Sequence, residues 1–285
     1  MSISKIRKSA RYTDRWLLNR QDKHIRMVEE SIKQLQRTIL NDLSILRTTP
    51  NGHLEGIKVN LKQAQKLHQK IISSFDGQFS KGMQKVINDF TSTEKMIQTA
   101  YSYLDESVAF TSTDRKVMQT LREGYYRSYL SLGKQHRDQV IQSVYNQVLG
   151  NGSFSTLVET IEGALVGQVS AVGRPLAFYA RTYAKDMIMN FHNEVNLIKA
   201  EDADIKHFLY VGNIIESTRS FCKKRAGKYY TKKQINSWNY KWPGKSGPAL
   251  THRGGFNCRH HWQPIKPEWL DGEKKIDVAD WFKEN

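Results

Sequence analysis

The sequence predicts a mostly α-helical protein, in which an elongated N-terminal region built as a helical hairpin or bundle precedes a small α+β domain. Two observations predict this class. Upstream of residue 217 only Pro50 and Pro175 interrupt the chain, and apolar residues recur there at helical spacing. The composition changes beyond that point, where five of the six tryptophans and four of the six prolines of the chain lie. That change indicates short strands and turns.

The first two helices are predicted from apolar spacing near the N-terminus. Within residues 24–46 the apolar residues recur at steps of three or four, on one helical face: Ile25, Val28, Ile32, Leu35, Ile39, Leu43 and Leu46. The turn-forming segment Thr48–His53 ends this helix. A second such face follows at Ile57, Leu61, Ala64, Leu67, Ile71 and Phe75. The pair predicts a hairpin or coiled-coil arm that binds a partner, with packing inside the chain as the alternative.

Further helices are predicted over residues 82–107, 113–149, 153–168 and 174–199. Thr113 and Asp114 are candidate N-caps for the second of these. The alternating stretch His207–Asn213 predicts a strand, and a short helix is expected near Thr231–Trp238.

These elements divide the chain into two regions. Residues 1–150 form the partner-binding helical region. Residues 151–285 form the C-terminal domain, whose small basic α+β part covers 205–266 and precedes a C-terminal tail.

The chain is strongly basic, since 44 Lys and Arg against 28 Asp and Glu give a formal net charge of +16. Such a charge attracts polyanions, of which nucleic acid is the commonest in the cytosol, and phosphate neutralisation does not depend on base sequence. A solubilising surface or docking on an acidic protein is the alternative. No stretch approaches the roughly 20 apolar residues of a membrane span, and no signal peptide is visible. We therefore expect no membrane partner.

The positive charge is concentrated in the segment Ser217–Pro267, which contains no Asp or Glu. Basic side chains interleaved with aromatic ones suit contact with phosphates and stacking on bases. They also suit a small core with a basic rim, and we assign most of the aromatic residues to such a core. The residues expected to bind nucleic acid are Arg219, Lys223, Lys224, Arg225, Lys232, Lys233 and Arg259.

Both cysteines of the chain lie in this basic segment, together with the histidine-rich run HRGGFNCRHH. Thiolate and imidazole are the usual ligands of zinc, and four of them complete a structural site. The most workable set is Cys222, His252, Cys258 and His260, because Cys258 and His260 face the same side of an extended chain. The spacing of Cys222 and His252 is not that of a zinc finger, so buried thiols or a disulfide are the alternatives to one structural zinc.

Catalytic motifs are missing from the sequence. There is no phosphate-binding GxxxxGKS/T loop, no GxSxG elbow and no HExxH zinc motif. A metal-dependent nuclease usually holds its cation with carboxylates, and the basic segment has none. No convincing helix-turn-helix supports a DNA-binding regulator. We expect no enzymatic activity, with a nucleic-acid-processing enzyme, a zinc-stabilised nuclease or transferase, as the alternative.

Several short segments follow one another in a specific order: Gly152–Phe154, Ala180–Thr182, Ser217–Cys222, Gly227, and His252 with Asn257–His260. In this order they resemble the phage minor head protein family, the Mu F-like head morphogenesis group. Members typically end this domain with histidine and then Asn-Cys-Arg-Cys or its histidine variant. Many also carry a second cysteine soon after the first, where this chain has Arg225. The ligand set that the resemblance carries over is Cys222, His252, Cys258 and His260.

The resemblance implies a structural role in a virus particle. Proteins similar to this are minor virion components that associate with the portal or the capsid interior and assist head assembly or DNA delivery. We therefore expect a minor capsid protein of a tailed bacteriophage, made in the bacterial cytoplasm and present in several copies in the virion. Its partners would be the portal or major capsid protein and packaged double-stranded DNA, contacted non-specifically during DNA packaging.

Overall fold

The computed structural model describes residues 3–167, 174–238, 248–270, 276–278 and 281–282. The fold of this part is mostly helical, with a small three-stranded antiparallel sheet near the C-terminal end. This confirms the predicted fold class. Among the described helices, none combines the length and the apolar character that a membrane crossing needs.

The helices that precede the sheet are α1 (Ile3–Asp42), α2 (Ile57–Ser74), α3 (Lys81–Asp89), α4 (Thr93–Ser102), α5 (Ser112–Leu149), α6 (Phe154–Leu165) and α7 (Leu176–Asp202). A π-helical turn at Phe75–Ser80 joins α2 to α3, and a 3₁₀ turn at Phe90–Ser92 joins α3 to α4. The strands are β1 (His207–Val211), β2 (Tyr229–Thr231) and β3 (His261–Ile265). The short helices among them are α8 (Ser220–Lys223), α9 (Lys232–Asn236) and α10 (Ala249–His252).

Helix α1 begins at Ile3, well before the predicted start at residue 24. Its buried positions recur at steps of three or four along its whole length, but three of the early ones are polar: Ser9, Thr13 and Gln21. An apolar stripe is therefore not visible there in the sequence. The buried Ser9 hydroxyl is satisfied, because it donates to the Ala100 carbonyl at 2.8 Å.

The second half of α1 and helix α2 form an antiparallel hairpin. The amide of Gln78 donates to the Thr38 hydroxyl at 2.7 Å, and the Lys70 ammonium pairs with Asp42 at 2.6 Å. The intervening loop is held by the fully buried Asn60. Its amide oxygen accepts from the backbone N–H of Arg47 at 2.8 Å, and its amide nitrogen donates to the Arg47 carbonyl at 3.0 Å.

Most of the apolar face of α2 is buried inside the chain. Leu67, Ile71 and Phe75 are almost inaccessible to solvent. Phe79, in the π-helical turn, stacks on Tyr129 of α5 with ring centroids 4.3 Å apart. Leu61, on the same predicted face, is 43% exposed. The packing alternative therefore describes the buried part of this face, and the partner-binding role stays a prediction.

The predicted helix 82–107 is two helices, α3 and α4, because the chain turns at the buried Phe90. The predicted helix 113–149 agrees with α5 to one residue. Its cap is Thr111, however, and not Thr113. The Thr111 hydroxyl accepts from the backbone N–H of Asp114 at 3.1 Å, while the Asp114 carboxylate accepts from the Thr111 N–H at 2.7 Å. This is the reciprocal arrangement of a capping box.

The described residues group into two compact units that alternate along the chain. The helical unit takes its residues from Lys23–Asp89 and Glu123–Ala184. The sheet unit takes them from Met1–Asp22, Phe90–Arg122 and Lys185–Asn285. Both units draw on residues from either side of position 150. The division into regions 1–150 and 151–285 therefore stays a prediction about roles.

The sheet has the order β2-β1-β3, and all neighbours are antiparallel. The central strand is buried on both faces, and Tyr210 lies opposite Trp262 in the register with β3. The rings of these two residues are 4.4 Å apart. Trp238 lies edge-on to Tyr230 at 4.8 Å. Phe221, Tyr230, Trp238 and Trp262 thus pack on one another, but of these only Phe221 and Trp262 are buried. Phe256 is exposed, and Tyr240 and Trp242 lie outside the described residues.

Candidate metal centre and basic pocket

The two cysteines and one histidine meet in the interior of the sheet unit. The sulfur atoms of Cys222 and Cys258 are 3.7 Å apart, and Nδ1 of His260 lies 3.8 Å from the Cys258 sulfur. One ligand atom from each residue falls within 4.8 Å of the others, and all three residues are buried. Both cysteines are free thiols.

Three separate pieces of chain bring these side chains together. Cys222 lies in the single-turn helix α8. Cys258 and His260 lie in the irregular segment between α10 and β3, and both side chains reach the cluster, as their spacing predicts. Strand β1 contributes Tyr210, whose hydroxyl is 3.4 Å from the Cys222 sulfur and 3.5 Å from that of Cys258. The Tyr210 ring also stacks on the His260 ring at 5.2 Å.

Two glycines let the backbone come close to this cluster. A Cβ atom on Gly254 would lie 2.3 Å from the Cys222 sulfur and 2.9 Å from the Cys258 sulfur. The Gly254 N–H donates to the Cys258 sulfur at 3.3 Å. Gly212 has a φ of +150°, and a Cβ there would lie 2.7 Å from the His260 ring. The backbone at these two positions therefore has no room for a side chain.

The two sulfurs are close enough for a hydrogen bond in which either can be the donor. This contact lowers the pKa of Cys258 and raises that of Cys222. Burial opposes the lowering at Cys258, while His260 and the Arg253 guanidinium reinforce it. The pKa of Tyr210 is raised well above 10 because the residue is buried beside both sulfurs, so its hydroxyl remains a donor. Cys258 therefore carries thiolate character, which metal binding requires.

Arg253 supplies a buried positive charge near these thiols. Its side chain is fully buried, and none of its guanidinium nitrogens has a hydrogen-bond partner among the described residues. Its backbone is strained for a residue with a side chain, at φ 52° and ψ −122°. A buried charge is tolerated when an opposite charge lies close to it. The Arg253 charge in turn lowers the pKa of Cys258 and so favours a thiolate there.

The geometry fits a zinc ion. At Zn–S distances of about 2.3 Å, two thiolates in a tetrahedral site lie about 3.8 Å apart, and thiolate sulfur and imidazole nitrogen lie about 3.6 Å apart. The observed separations are 3.7 Å and 3.8 Å. Two sulfurs and one imidazole are also the donor types that select zinc over magnesium or calcium. The residues that would hold it are Cys222, Cys258 and His260.

His252, the fourth ligand expected from the sequence, lies outside this group. It is the last residue of α10 and is half-buried. In the part of the chain that the structure describes, the cluster has the three ligands named above and does not include it. The structure therefore brings together three of the four expected ligands.

A pocket of about 390 Å³ opens on the cluster, and its wall includes all three ligand residues. The charged groups that line it are Lys185 of α7, Arg219, Arg259 and Asp22 of α1. Arg219 is held in place, since it donates to the carbonyls of Gly254 at 3.2 Å and Phe256 at 2.7 Å.

The residues expected to bind nucleic acid differ in their exposure to solvent and in their contacts. Lys223, Lys224, Lys233 and Arg259 are exposed, whereas Arg219 is engaged with backbone carbonyls as described above. The exposed Lys232 pairs with Glu201.

Arg225 is likewise engaged inside the unit. Its guanidinium lies 3.8 Å from the ring centroid of Phe221 and 4.1 Å from that of Trp238. It also donates to the Phe221 carbonyl at 3.1 Å. The half-buried Arg225 is therefore engaged with the aromatic residues, and the exposed cations of the expected set are lysines and Arg259.

Carboxylates reach the cluster from outside the basic segment, which the sequence analysis did not anticipate. Asp14 of α1 interacts electrostatically with His260 and Arg259. Its pKa is raised to about 6 by burial, against the lowering effect of those two residues. Asp186 of α7 accepts from the Asn257 N–H at 2.9 Å. No local pattern marks these residues, because each lies more than 70 positions from the segment that it contacts.

Comparison of the chain with protein-family models, with curated proteins and with solved structures gives no match in any of the three searches.

Proposed function

We propose that the chain is a minor capsid protein of a tailed bacteriophage, which assists head morphogenesis in association with the portal or the capsid interior. In this proposal it binds packaged DNA without sequence preference, and one zinc ion on Cys222, Cys258 and His260 stabilises its sheet unit. Several copies would be present in each virion.

The observation that carries the proposal is the meeting of separate segments in one cluster. The resemblance to the Mu F-like group rests on short pieces, among them Ser217–Cys222 and Asn257–His260. In the fold the cysteine of the first piece contacts the cysteine of the second at 3.7 Å. Gly227, a further piece, has a φ of +78°, and a Cβ there would lie 2.0 Å from the Ile276 carbonyl oxygen. The two cysteines thus have one structural reason for their identity, and Gly227 has a separate one.

The charge distribution supports contact with DNA. The chain carries a net charge of +16, and the exposed cations of the sheet unit include Lys223 and Lys224 on either side of the end of α8. Lysine contacts to phosphates give affinity without sequence preference. This is the kind of binding that a protein packed against DNA in a capsid requires.

The zinc would act as a cross-link in this unit. It would join α8 to the segment that leads into β3, so that the short helices do not depend only on the small aromatic core. A structural zinc contributes directly to folding free energy, since the site forms only in the folded chain.

The experiment is co-purification of the tagged full chain with the portal protein of the same source, at low and at high salt. We expect a complex of defined stoichiometry that survives high salt. DNA binding should weaken steeply with salt in the same preparations. Absence of portal binding at both salt concentrations, with tight DNA binding retained, would contradict the assembly role.

One observation favours the alternative, a zinc-dependent enzyme that acts on nucleic acid. The basic segment itself has no carboxylate, yet Asp14, Asp22 and Asp186 lie at the cluster or its pocket. Acidic groups beside a metal can position water or take up a proton. Incubation of the zinc-loaded chain with single- and double-stranded DNA tests this directly. Cleavage that is lost in the Cys258→Ser variant would establish the enzyme and displace the structural proposal.

A further inference from the structure

We infer that the zinc centre is an open one, whose fourth coordination position faces the pocket and takes the oxygen of a phosphate-type anion. This inference rests on the metal part of the proposed function and is independent of the virion role. It assigns the pocket a chemical class of ligand, where the sequence alone indicated a closed structural site.

The number of protein ligands is the first observation. A structural zinc site is closed by four protein side chains, whereas a site with three keeps a position for water or another small ligand. Among the described residues the cluster has three: Cys222, Cys258 and His260. His252 does not join them.

Access is the second observation. All three ligand residues form part of the wall of one pocket of about 390 Å³. A metal held between them is therefore next to space that a small molecule can enter. A buried structural site has no such opening beside its ligands.

The charges around the pocket identify the ligand class. A zinc ion with two thiolates and a neutral imidazole has no net charge, so the whole negative charge of a bound anion would remain for the surrounding cations to balance. Lys185, Arg219 and Arg259 line the pocket together with one carboxylate, Asp22. Asp14 and Asp186 lie near the cluster but are not part of the pocket wall. The wall itself therefore has a surplus of cations, which favours an anion, and an arginine suits the oxygens of a phosphate.

Polar groups complete a surface suited to an oxyanion. Ser217, Thr218 and the exposed Asn257 line the pocket. The Arg219 guanidinium is fixed by its bonds to the Gly254 and Phe256 carbonyls. Its charge is therefore already held beside the pocket, so that binding of an anion would cost little further side-chain entropy.

Cobalt substitution of the full chain tests the inference. Co²⁺ in the same ligands gives visible absorption bands that report its fourth ligand. We expect inorganic phosphate, added at constant ionic strength, to shift these bands in a saturable manner. Oligonucleotides with and without a 5′-phosphate form the second and third arms, and distinguish free phosphate from a DNA end as the source.

Matched variants locate the anion. Arg259→Gln and Lys185→Gln should each weaken phosphate binding by about tenfold, because each removes one charged contact. Lys116→Gln is the control, since Lys116 is exposed on α5 of the same unit and does not line the pocket. It should leave both the bands and the phosphate affinity unchanged.

The opposite results would overturn the inference. Bands that no arm of the titration shifts would show a closed site. X-ray absorption of the zinc protein that reports two imidazoles would show that His252 is the fourth ligand. We expect two sulfurs, one imidazole and one lighter atom, and we expect His252→Ala to keep the metal. If the chain binds neither portal protein nor DNA but phosphate still shifts the cobalt bands, the proposed function would be contradicted and this inference would stand.

Discussion

Replacement of Gly254 by alanine should disrupt the metal centre through one added methyl group. The new Cβ would lie 2.3 Å from the Cys222 sulfur, whereas ordinary contacts of a Cβ begin at 3.4 Å. The sulfur or the backbone must therefore retreat by about 1.1 Å, the difference between those two distances. Gly254 is not among the residues with positive φ, so this contact, and not backbone strain, is the source of the effect.

The sulfur has little room to move. It already lies 3.4 Å from the Tyr210 hydroxyl and 3.7 Å from the Cys258 sulfur. Metal sites tolerate deviations of about 0.2 Å in ligand position. A displacement several times larger should lower zinc affinity by at least ~100-fold, the upper end of what loss of a supporting contact produces. Overpacking should also lower the free energy of unfolding by about 1–3 kcal/mol.

Zinc affinity is measured by competition with a chromophoric chelator, and stability by thermal melts with zinc and with EDTA. The zinc-induced rise in melting temperature should largely disappear in Gly254→Ala. Gly124→Ala is the control, because a Cβ on this exposed residue of α5 would meet nothing within 4 Å. It should keep the zinc affinity and add about 0.5–1 kcal/mol of stability. An unchanged zinc affinity in Gly254→Ala would refute the assignment of the Cys222 sulfur as a ligand.

Three further predictions concern other contacts of the sheet unit. The buried Lys199 ammonium donates to the Asp114 carboxylate at 2.6 Å. Burial raises the pKa of Asp114, but this bond and those from Thr111 outweigh burial and lower the pKa below 3.8. Lys199→Met should therefore lower the free energy of unfolding by about 3 kcal/mol at pH 7. In urea titrations this loss should shrink as the pH falls below 4 and Asp114 is protonated, and a loss that does not depend on pH would refute the pairing. The double variant Lys223→Glu with Lys224→Glu should weaken the salt dependence of DNA binding. In anisotropy titrations the slope of log affinity against log salt concentration should fall in magnitude by about 2. An unchanged slope would show that these lysines do not belong to the DNA-binding surface. Tyr210→Phe should weaken zinc binding by about tenfold through loss of the hydroxyl beside both sulfurs, an outcome that equal affinities in the chelator assay would exclude.

The long helices could be predicted because their buried faces are apolar and local. The spacing within residues 57–75 and 113–149 identifies α2 and α5 almost to the residue. The start of α1 could not be predicted, since its buried residues include Ser9 and Gln21, which donate to the carbonyls of Ala100 and Lys185, far away in sequence. The turn at Phe90 could not be predicted either, because a buried phenylalanine also fits the pattern of a continuous helix.

In the candidate site, too, some residues could be predicted from local sequence and others could not. Cys222 and Cys258 were found because they are the chain's two cysteines, and Cys258 and His260 because their spacing puts both on one side. His252 was expected from its residue type, but α10 places it outside the group of ligands. Tyr210 carries no local signal, because its role depends on packing between segments far apart in sequence.

The basic residues were identified as a class but not by role. A charge pattern does not distinguish a lysine exposed to solvent from an arginine engaged in the core. Arg225 lies between two aromatic rings, and Arg219 holds two backbone carbonyls. Both contacts need the planar guanidinium, which explains arginine at positions 219 and 225.

The most direct test of the central claim is the zinc content of the purified full chain under reducing conditions, measured by mass spectrometry together with its free thiols. The account predicts about one zinc per chain, with both Cys222 and Cys258 reduced, and loss of that zinc in Cys258→Ser. A folded chain that contains no zinc, or whose two cysteines are joined in a disulfide, would contradict it.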